Sequence, residues 1–382
     1  TTYKLIFTGF HAGPGFAGLA GHLQHEWVIL ANLLCLLLGF DILSHHFSAS
    51  KVPAHLPKFL PNDWKGPLVL LVIVFVLSSF LDNIAAAMIG GTIAATVFKG
   101  KVHIGYIAAI VAASNAGGAG SVVGDTTTTM MWIDGVSPLD VLHAYVAAGV
   151  ALVVCGFFAA KQQHAHHPIA ADAVTSEPVD KVRLGIVATI LVFAIGANVL
   201  INTRFNAVAE VFPWIGAAVW LAIFVTAPIR RPHWGGLKSA FRGSIFLLSL
   251  VTCASMMPVE TLPPASWQSA LTLGFVSAVF DNIPLTKLAL EQGGFDWGFL
   301  AYAVGFGGSM IWFGSSAGVA ISNIYHDAKS VGAWLKGGWH VTLAYIVGFL
   351  VMLYTVGWHP HAPHKAGGPP PAVESSHVAA PE

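Results

Sequence analysis

Ser78-Ser79-Phe80-Leu81-Asp82-Asn83-Ile84 cuts through an apolar run at residues 66–98, and Val276-Ser277-Ala278-Val279-Phe280-Asp281-Asn282-Ile283-Pro284 cuts through a second at 266–290. The two Asp-Asn-Ile signatures lie 199 residues apart. As one continuous helix, the first run of about 33 residues would be ~50 Å long. The hydrocarbon core of a bilayer is only ~30 Å thick. Split at Asp82-Asn83, the run becomes two arms of about 15 residues, each ~23 Å long. Such arms suit a re-entrant hairpin whose tip lies near mid-membrane. Irregular backbone at that depth is tolerated where protein or a wet cavity surrounds it. Pro284 suits the first turn of a returning half-helix, where its missing N–H costs nothing. The alternative is a pair of short ordinary spans joined at each signature. A carboxylate in hydrocarbon is costly, so two in matching settings point to an ion site built from an internal repeat.

Composition agrees with a membrane setting. Of 382 residues, 55% are apolar and 9% charged, against about 25% charged in a soluble domain. Mean hydropathy is +0.71, and several long windows lack charge, so the fold class is an all-α polytopic membrane protein. The formal net charge is zero, which gives no footing for nucleic acid. Cys35, Cys155 and Cys253 sit in apolar stretches without a CxxC spacing and read as small packing residues. The chain opens at Thr1 without methionine, so a removed signal peptide or leading segment is an open expectation.

Outward from the two signatures, residues 1–26 read as an extramembrane or interfacial segment. Spans are expected at 27–46, 104–132 (interrupted), 139–160, 184–202, 211–228, 241–257, 297–321 (interrupted) and 338–358. The first repeat covers 27–160 and the second 184–358, joined by a cytoplasmic linker at 161–183 that holds Gln162, Gln163, His164, His166, His167 and Pro168. The plain spans that close the two halves are again about 199 residues apart. The tail at 359–382 is His-, Pro- and Ala-rich and reads as disordered. With both hairpins re-entrant, one side collects Lys51, Lys58, Lys65, Lys99, Lys101, Lys161, Lys181, Arg183, Arg230, Arg231, Lys238, Arg242, Lys329 and Lys336. That side is then cytoplasmic, both termini lie outside, and the hairpins enter from opposite faces as in an inverted repeat.

Candidate chemistry follows each hairpin. The first interrupted span contains Ser114-Asn115-Ala116-Gly117-Gly118-Ala119-Gly120-Ser121 and then Gly124-Asp125-Thr126-Thr127-Thr128-Thr129. Its glycines weaken the helix and free carbonyls. Carbonyls, an Asn amide and hydroxyls can form an oxygen cage for a small hard cation. The counterpart is Gly307-Gly308-Ser309, followed by Gly314-Ser315-Ser316-Ala317-Gly318. Close packing of helices through small residues is the other reading of both stretches. Burial raises a carboxyl pKa and a nearby cation lowers it, so one carboxylate at Asp82 or Asp281 can bind H⁺ and Na⁺ in competition. Either Asp can also cap its returning half-helix, and Asp125 can serve as ligand, gate or cap. Lys287, one turn past the second tip, is a coupling candidate able to neutralise an acid such as Asp281, or else a snorkelling lysine. His143 and His340 read as interfacial. There is no nucleophile–base set, phosphate loop or zinc spacing, so neither enzyme activity nor a cofactor is expected.

As a set, Asn115-Ala116-Gly117-Gly118-Ala119, the stretch Gly124-Asp125-Thr126-Thr127-Thr128-Thr129-Met130-Met131-Trp132-Ile133, both Asp-Asn-Ile tips and Gly314-Ser315-Ser316-Ala317-Gly318-Val319-Ala320 resemble the NhaD-type Na⁺/H⁺ antiporters. These belong to the ion transporter superfamily, together with arsenite permeases and citrate and dicarboxylate carriers. The resemblance covers about 65–160 and 240–358. It implies two inverted repeats, each with a re-entrant hairpin and an unwound helix, a homodimer with an elevator-like motion, and a bacterial inner membrane. It also implies one site at Asp82, Asn83, Asn115 and Gly117, and a second at Asp281, Asn282, Gly314 and Ser315. Ser114, Gly118, Asp125, Thr126 and Ser316 complete the candidate set, with Na⁺ expected at Asp82, Asn115, Asp281 and Ser315. Gly120 stands where that family often carries a bulky residue. The leading function is Na⁺/H⁺ antiport, with Na⁺, H⁺, the lipid bilayer and a second copy of the chain as expected partners and no nucleic acid. The alternative is a Na⁺- or H⁺-coupled carrier of citrate or another carboxylate, whose anion would meet Asn amides, hydroxyls and half-helix N-termini.

Overall fold

A computed structural model describes residues 15–121, 123–169, 178–205, 208, 211–256, 262–322 and 324–361. Residues 1–14, most of the tail (362–382) and part of the linker (170–177) lie outside the described residues, and with them the expected placement of both termini. The described chain is helical: α1 (Gly15–Ala49), α2 (Val52–His55), α3 (Lys65–Ser78), α4 (Asn83–Val97), α5 (Ile104–Ala119), α6 (Thr126–Ile133), α7 (Pro138–Leu142), α8 (Ala144–His166), α9 (Lys181–Arg204), α10 (Trp214–Thr226), α11 (Leu237–Ser255), α12 (Trp267–Ser277), α13 (Asn282–Gln292), α14 (Trp297–Gly307), α15 (Ser316–Ser322), α16 (Val331–Gly337) and α17 (Trp339–Thr355).

Several starts follow from capping chemistry. Asp125, Asp180, Asp281 and Asp296 each accept backbone N–H bonds at the head of a helix, and Ser266 forms a reciprocal capping box with Ser269. Beyond α13, Gly293 takes φ 68°, the left-handed stop that glycine adopts without steric cost.

Among the described residues, four stretches are each long and apolar enough to cross a membrane: Glu26–Ala49, Pro138–His166, Lys181–Ile201 and Trp234–Ser255. A fifth arises if α16 and α17, bent by 60°, form one span. The sequence predicts eight crossings. The difference lies in the short helices, since α5 and α14 stop at their glycines and α10 has 13 residues. The first helix begins at Gly15, ahead of the expected span, so the described residues 15–26 are helical and continuous with it.

The apolar faces sort the helices into centre and periphery. Along α5 and α14 every residue from Gly105 to Ala119 and from Trp297 to Gly307 is buried, and the two helices pack on each other. Around them α9, α10 and α11 turn Val192, Leu200, Phe224, Val225, Ile245 and Phe246 outward. Apolar side chains facing out all round suit a hydrocarbon solvent. This is an all-helical membrane protein.

Both signature stretches fold back on themselves. A β-carbon on Gly90 would fall 2.4 Å from Val74 Cγ2, and these two residues stand equally far before and after Asp82. In one straight helix they would be ~24 Å apart. In the second stretch, Gln292 Nε2 donates to the Pro263 carbonyl at 2.7 Å, closing the end of α13 onto the approach to α12.

Candidate ion site

Each folded-back stretch is backed by an interrupted helix. In the first half, β-carbons on Gly117 and Gly124 would lie 2.0 Å from the carbonyl oxygens of Phe75 and Ser78. In the second half, the same construction at Gly307 meets the Gly274 carbonyl at 2.3 Å, and at Gly314 it meets the Ser277 carbonyl at 2.9 Å. The contacts correspond pair by pair, shifted by 199 residues in the hairpins and by 190 in the interrupted helices. Glycine is required here because backbone presses directly on backbone.

Hydroxyls stitch the first junction together. Ser79 Oγ and Tyr145 Oη both donate to the Gly117 carbonyl at 3.1 Å, and Ser121 Oγ donates to the Ser79 carbonyl at 2.7 Å. The Gly117 carbonyl therefore already has two protein donors, so the oxygens left for a cation come mainly from side chains. The room at Gly120 is taken by the Tyr145 ring, whose nearest atom lies 2.5 Å from where a β-carbon would stand.

A polar cluster occupies the apolar centre. Asn83, at the head of α4, donates from Nδ2 to Asn115 Oδ1 at 3.0 Å and to Asp125 Oδ1 at 3.2 Å. Asn115, on the fully buried α5, donates in turn to Ser309 Oγ at 2.9 Å and Ser315 Oγ at 3.1 Å. Asp125 is 1% exposed. It also accepts from Thr126 Oγ1 at 3.3 Å, Thr127 Oγ1 at 2.9 Å and Thr127 N at 3.4 Å. Donors converging on one buried carboxylate stabilise its charged form.

The structure thus brings Asn83, Asn115, Asp125, Thr126 and Ser315 into one network. Gly117, Gly118 and Gly314 supply the close backbone approach. Ser114 stays apart, bonding back to the Val111 carbonyl at 2.8 Å. Asp281 accepts the Ile283 N–H at 3.0 Å as a cap, and Asn282 beside it is buried. Ser316 opens α15. The sequence reading left out Ser309 and Thr127 as site residues, although both stand within the stretches that signalled the breaks.

Asp82 makes no side-chain capping bond and faces a cavity of about 1160 Å³. The cavity runs from Asp82 along α4 to Thr96 and along α1 from Leu33 to Ser48, and Lys51, Asp125, Thr126 and Thr129 also line it. Among the described residues no group of three or more His, Cys, Asp and Glu could hold a metal ion, so any cation here would rest on mixed oxygen ligands.

Lys287 does not pair with Asp281. Its Nζ lies 2.8 Å from Glu26 Oε2 and 2.6 Å from Glu291 Oε1, and Lys287 and Glu26 are almost wholly buried. The expected coupling partner is replaced by an acid 261 positions earlier in the chain, on α1. Removing one member of a buried pair strands the other. Lys287→Met is therefore expected to destabilise the protein by about 3 kcal/mol, read as a lower thermal midpoint in detergent. Adding Glu26→Gln should recover part of the loss. His340, expected at an interface, is fully buried, while His143 Nε2 lies 2.7 Å from the buried Asp296.

No family model matches the chain. It is similar to sodium/proton antiporter 1 of Arabidopsis thaliana, 26% identical over 352 residues, covering 78% of this chain and 57% of that protein. Sodium/proton antiporter 2 of the same plant is 26% identical over 67% of this chain and 69% of its own length. The Na⁺/H⁺ antiporter NhaD of Alkalimonas amylolytica is 24% identical over 73% of this chain and 67% of its own length. The chain thus spans between somewhat over half and about two thirds of the relatives it matches. The resemblance drawn from the motifs is borne out over most of the chain.

Proposed function

We propose, from this similarity to NhaD-type sodium/proton antiporters, that the chain exchanges Na⁺ for H⁺ across a membrane at carboxylates where two re-entrant hairpins meet two interrupted helices. The observation that carries the reading is the clasp of Asn83 on Asn115 and on Asp125, a residue that lines the cavity. It joins a hairpin tip to a helix break inside an otherwise apolar centre, where a polar group without a task is costly.

In this reading Asp82 and Asp125 offer their oxygens to Na⁺ or to a proton, but not to both at once. Bound Na⁺ lowers the proton affinity of the carboxylate, and a bound proton removes the charge that attracts Na⁺. Asn83 and Asn115 orient the neighbouring oxygens. The second centre would use Asp281, Asn282, Gly314 and Ser315. The recurring glycine–carbonyl contacts support a repeat, and opposite entry of the two hairpins would make it inverted. Lys51, which lines the cavity, belongs to the basic set expected on the cytoplasmic side.

Asp82 and Asp125 repel an organic carboxylate at the same depth, which favours cation exchange over citrate transport. The discriminating experiment uses acid-loaded proteoliposomes of the full chain. Addition of Na⁺ without any organic anion is expected to drive proton efflux. Saturable uptake of labelled citrate without that efflux would overturn the reading.

A further inference from the structure

The deep carboxylates need a route for protons as well as for Na⁺, and α1 carries groups suited to one. Asp41, Ser44, His45 and Ser48 follow the i, i+3, i+4, i+7 spacing of a single helical face, and all four line the large cavity. An ionisable residue inside an apolar span is costly, and this one is not consumed by structure. Asp41 Oδ2 is buried and has no hydrogen-bond partner among the described residues. A β-carbon on Gly236 would lie 3.3 Å from Asp41 Oδ2 and 3.2 Å from His45 Nε2. Both atoms therefore border the same small space, narrow enough for one water to bridge them. The His45 ring lies against the His233 ring, with centroids 4.5 Å apart.

His45 also lines a second, smaller cavity of about 420 Å³. The charged and titratable groups around that cavity are His46, Arg183, Arg231 and His233. The groups sharing the large cavity with Asp41 are Asp82, Asp125 and Lys51. Two arginines disfavour Na⁺ in the smaller space but do not obstruct a proton carried by imidazole. Histidine is the side chain whose ordinary titration falls near neutral pH.

We infer that Asp41 and His45 form a proton relay between the solution at the cavity mouth and Asp82. The inference rests on the antiport reading and adds a path to it. In the release direction, protonated Asp82 passes its proton through water in the shared cavity to the Asp41 carboxylate, leaving Asp82 ionised and open to Na⁺. The Asp41 carboxylic acid then gives the proton to neutral His45, directly or through one water. The imidazolium hands it to bulk water and returns to the neutral form. Uptake is the reverse sequence, and no step needs an oxidant or a co-reactant.

The test compares two exchanges in proteoliposomes of the full chain. Na⁺/H⁺ exchange needs the relay, whereas exchange of labelled Na⁺ for unlabelled Na⁺ moves no proton. Asp41→Asn should slow Na⁺/H⁺ exchange by about 100-fold and leave Na⁺/Na⁺ exchange at the rate of the unaltered protein. Asp41→Glu should restore most of the flux. His45→Ala should show the same split, with recovery when imidazole is supplied at the mouth side. Unchanged Na⁺/H⁺ exchange in Asp41→Asn would overturn the relay. An equal fall in both exchanges would also overturn it, because Asp41 would then be a Na⁺ ligand or a structural group. Absence of Na⁺-driven proton flux in the unaltered protein would overturn the antiport reading itself, and the relay with it.

Discussion

Asp82→Asn is expected to abolish Na⁺-driven proton flux while the protein still folds. The substitution keeps the shape of the side chain and removes its charge. A unit charge 4 Å from a cation is worth about 4 kcal/mol at an effective dielectric of 20, close to a thousandfold in affinity. The amide also cannot exchange a proton at any working pH. Both halves of the competition are therefore lost together, and added Na⁺ cannot restore the coupled flux. Stability should change little, because asparagine fills the same space and is itself a good residue at the head of a helix. The initial rate of proton efflux, measured across a Na⁺ series, checks this. Flux within reach of the unaltered rate at high Na⁺ would mean that the first tip does not take part in proton exchange.

Gly117→Ala should be among the most disruptive single-methyl additions in the described chain. The new carbon would sit 2.0 Å from the Phe75 carbonyl oxygen, well inside contact distance. Neither partner can swing aside as a flexible side chain could, since both are backbone within packed helices. Overpacking of this kind costs about 3 kcal/mol or more. The arm that carries Phe75 leads to Asp82, so the displaced hairpin should also lose transport. Gly149→Ala and Gly185→Ala are the matched controls, because nothing lies within 4 Å of their added carbons. Each should leave stability unchanged or raise it by up to ~1 kcal/mol, as glycine in a helix interior gives way to alanine. Thermal midpoints in one detergent rank the three variants, and equal midpoints would refute the tight junction.

Much of this was legible in the sequence, because the informative residues break a strong background. Asp82-Asn83 and Asp281-Asn282 stand out in apolar runs, and the observed turns fall there. The glycine clusters at 117–120 and 307–308 end α5 and α14 as their weak helix propensity suggests. The offset of the interrupted helices was less visible. The second half has nine fewer residues between tip and break, so only the tips and closing spans lined up at about 199. Long-range partners were not legible. Nothing local in Lys287 points to Glu26. Asp41 and His45 were hidden differently, since a polar stripe averages away within an apolar window and gains meaning only when a cavity opens beside it. Ser309 emerged as a site residue only once Asn115 was seen reaching across to it.

That reach has a bearing on timing. One buried amide holds hydroxyls contributed by the opposite half, so neither half can pivot alone without stranding polar atoms in a dry interior. Whatever rearrangement exchanges one aqueous compartment for the other should carry both tips in a single concerted step.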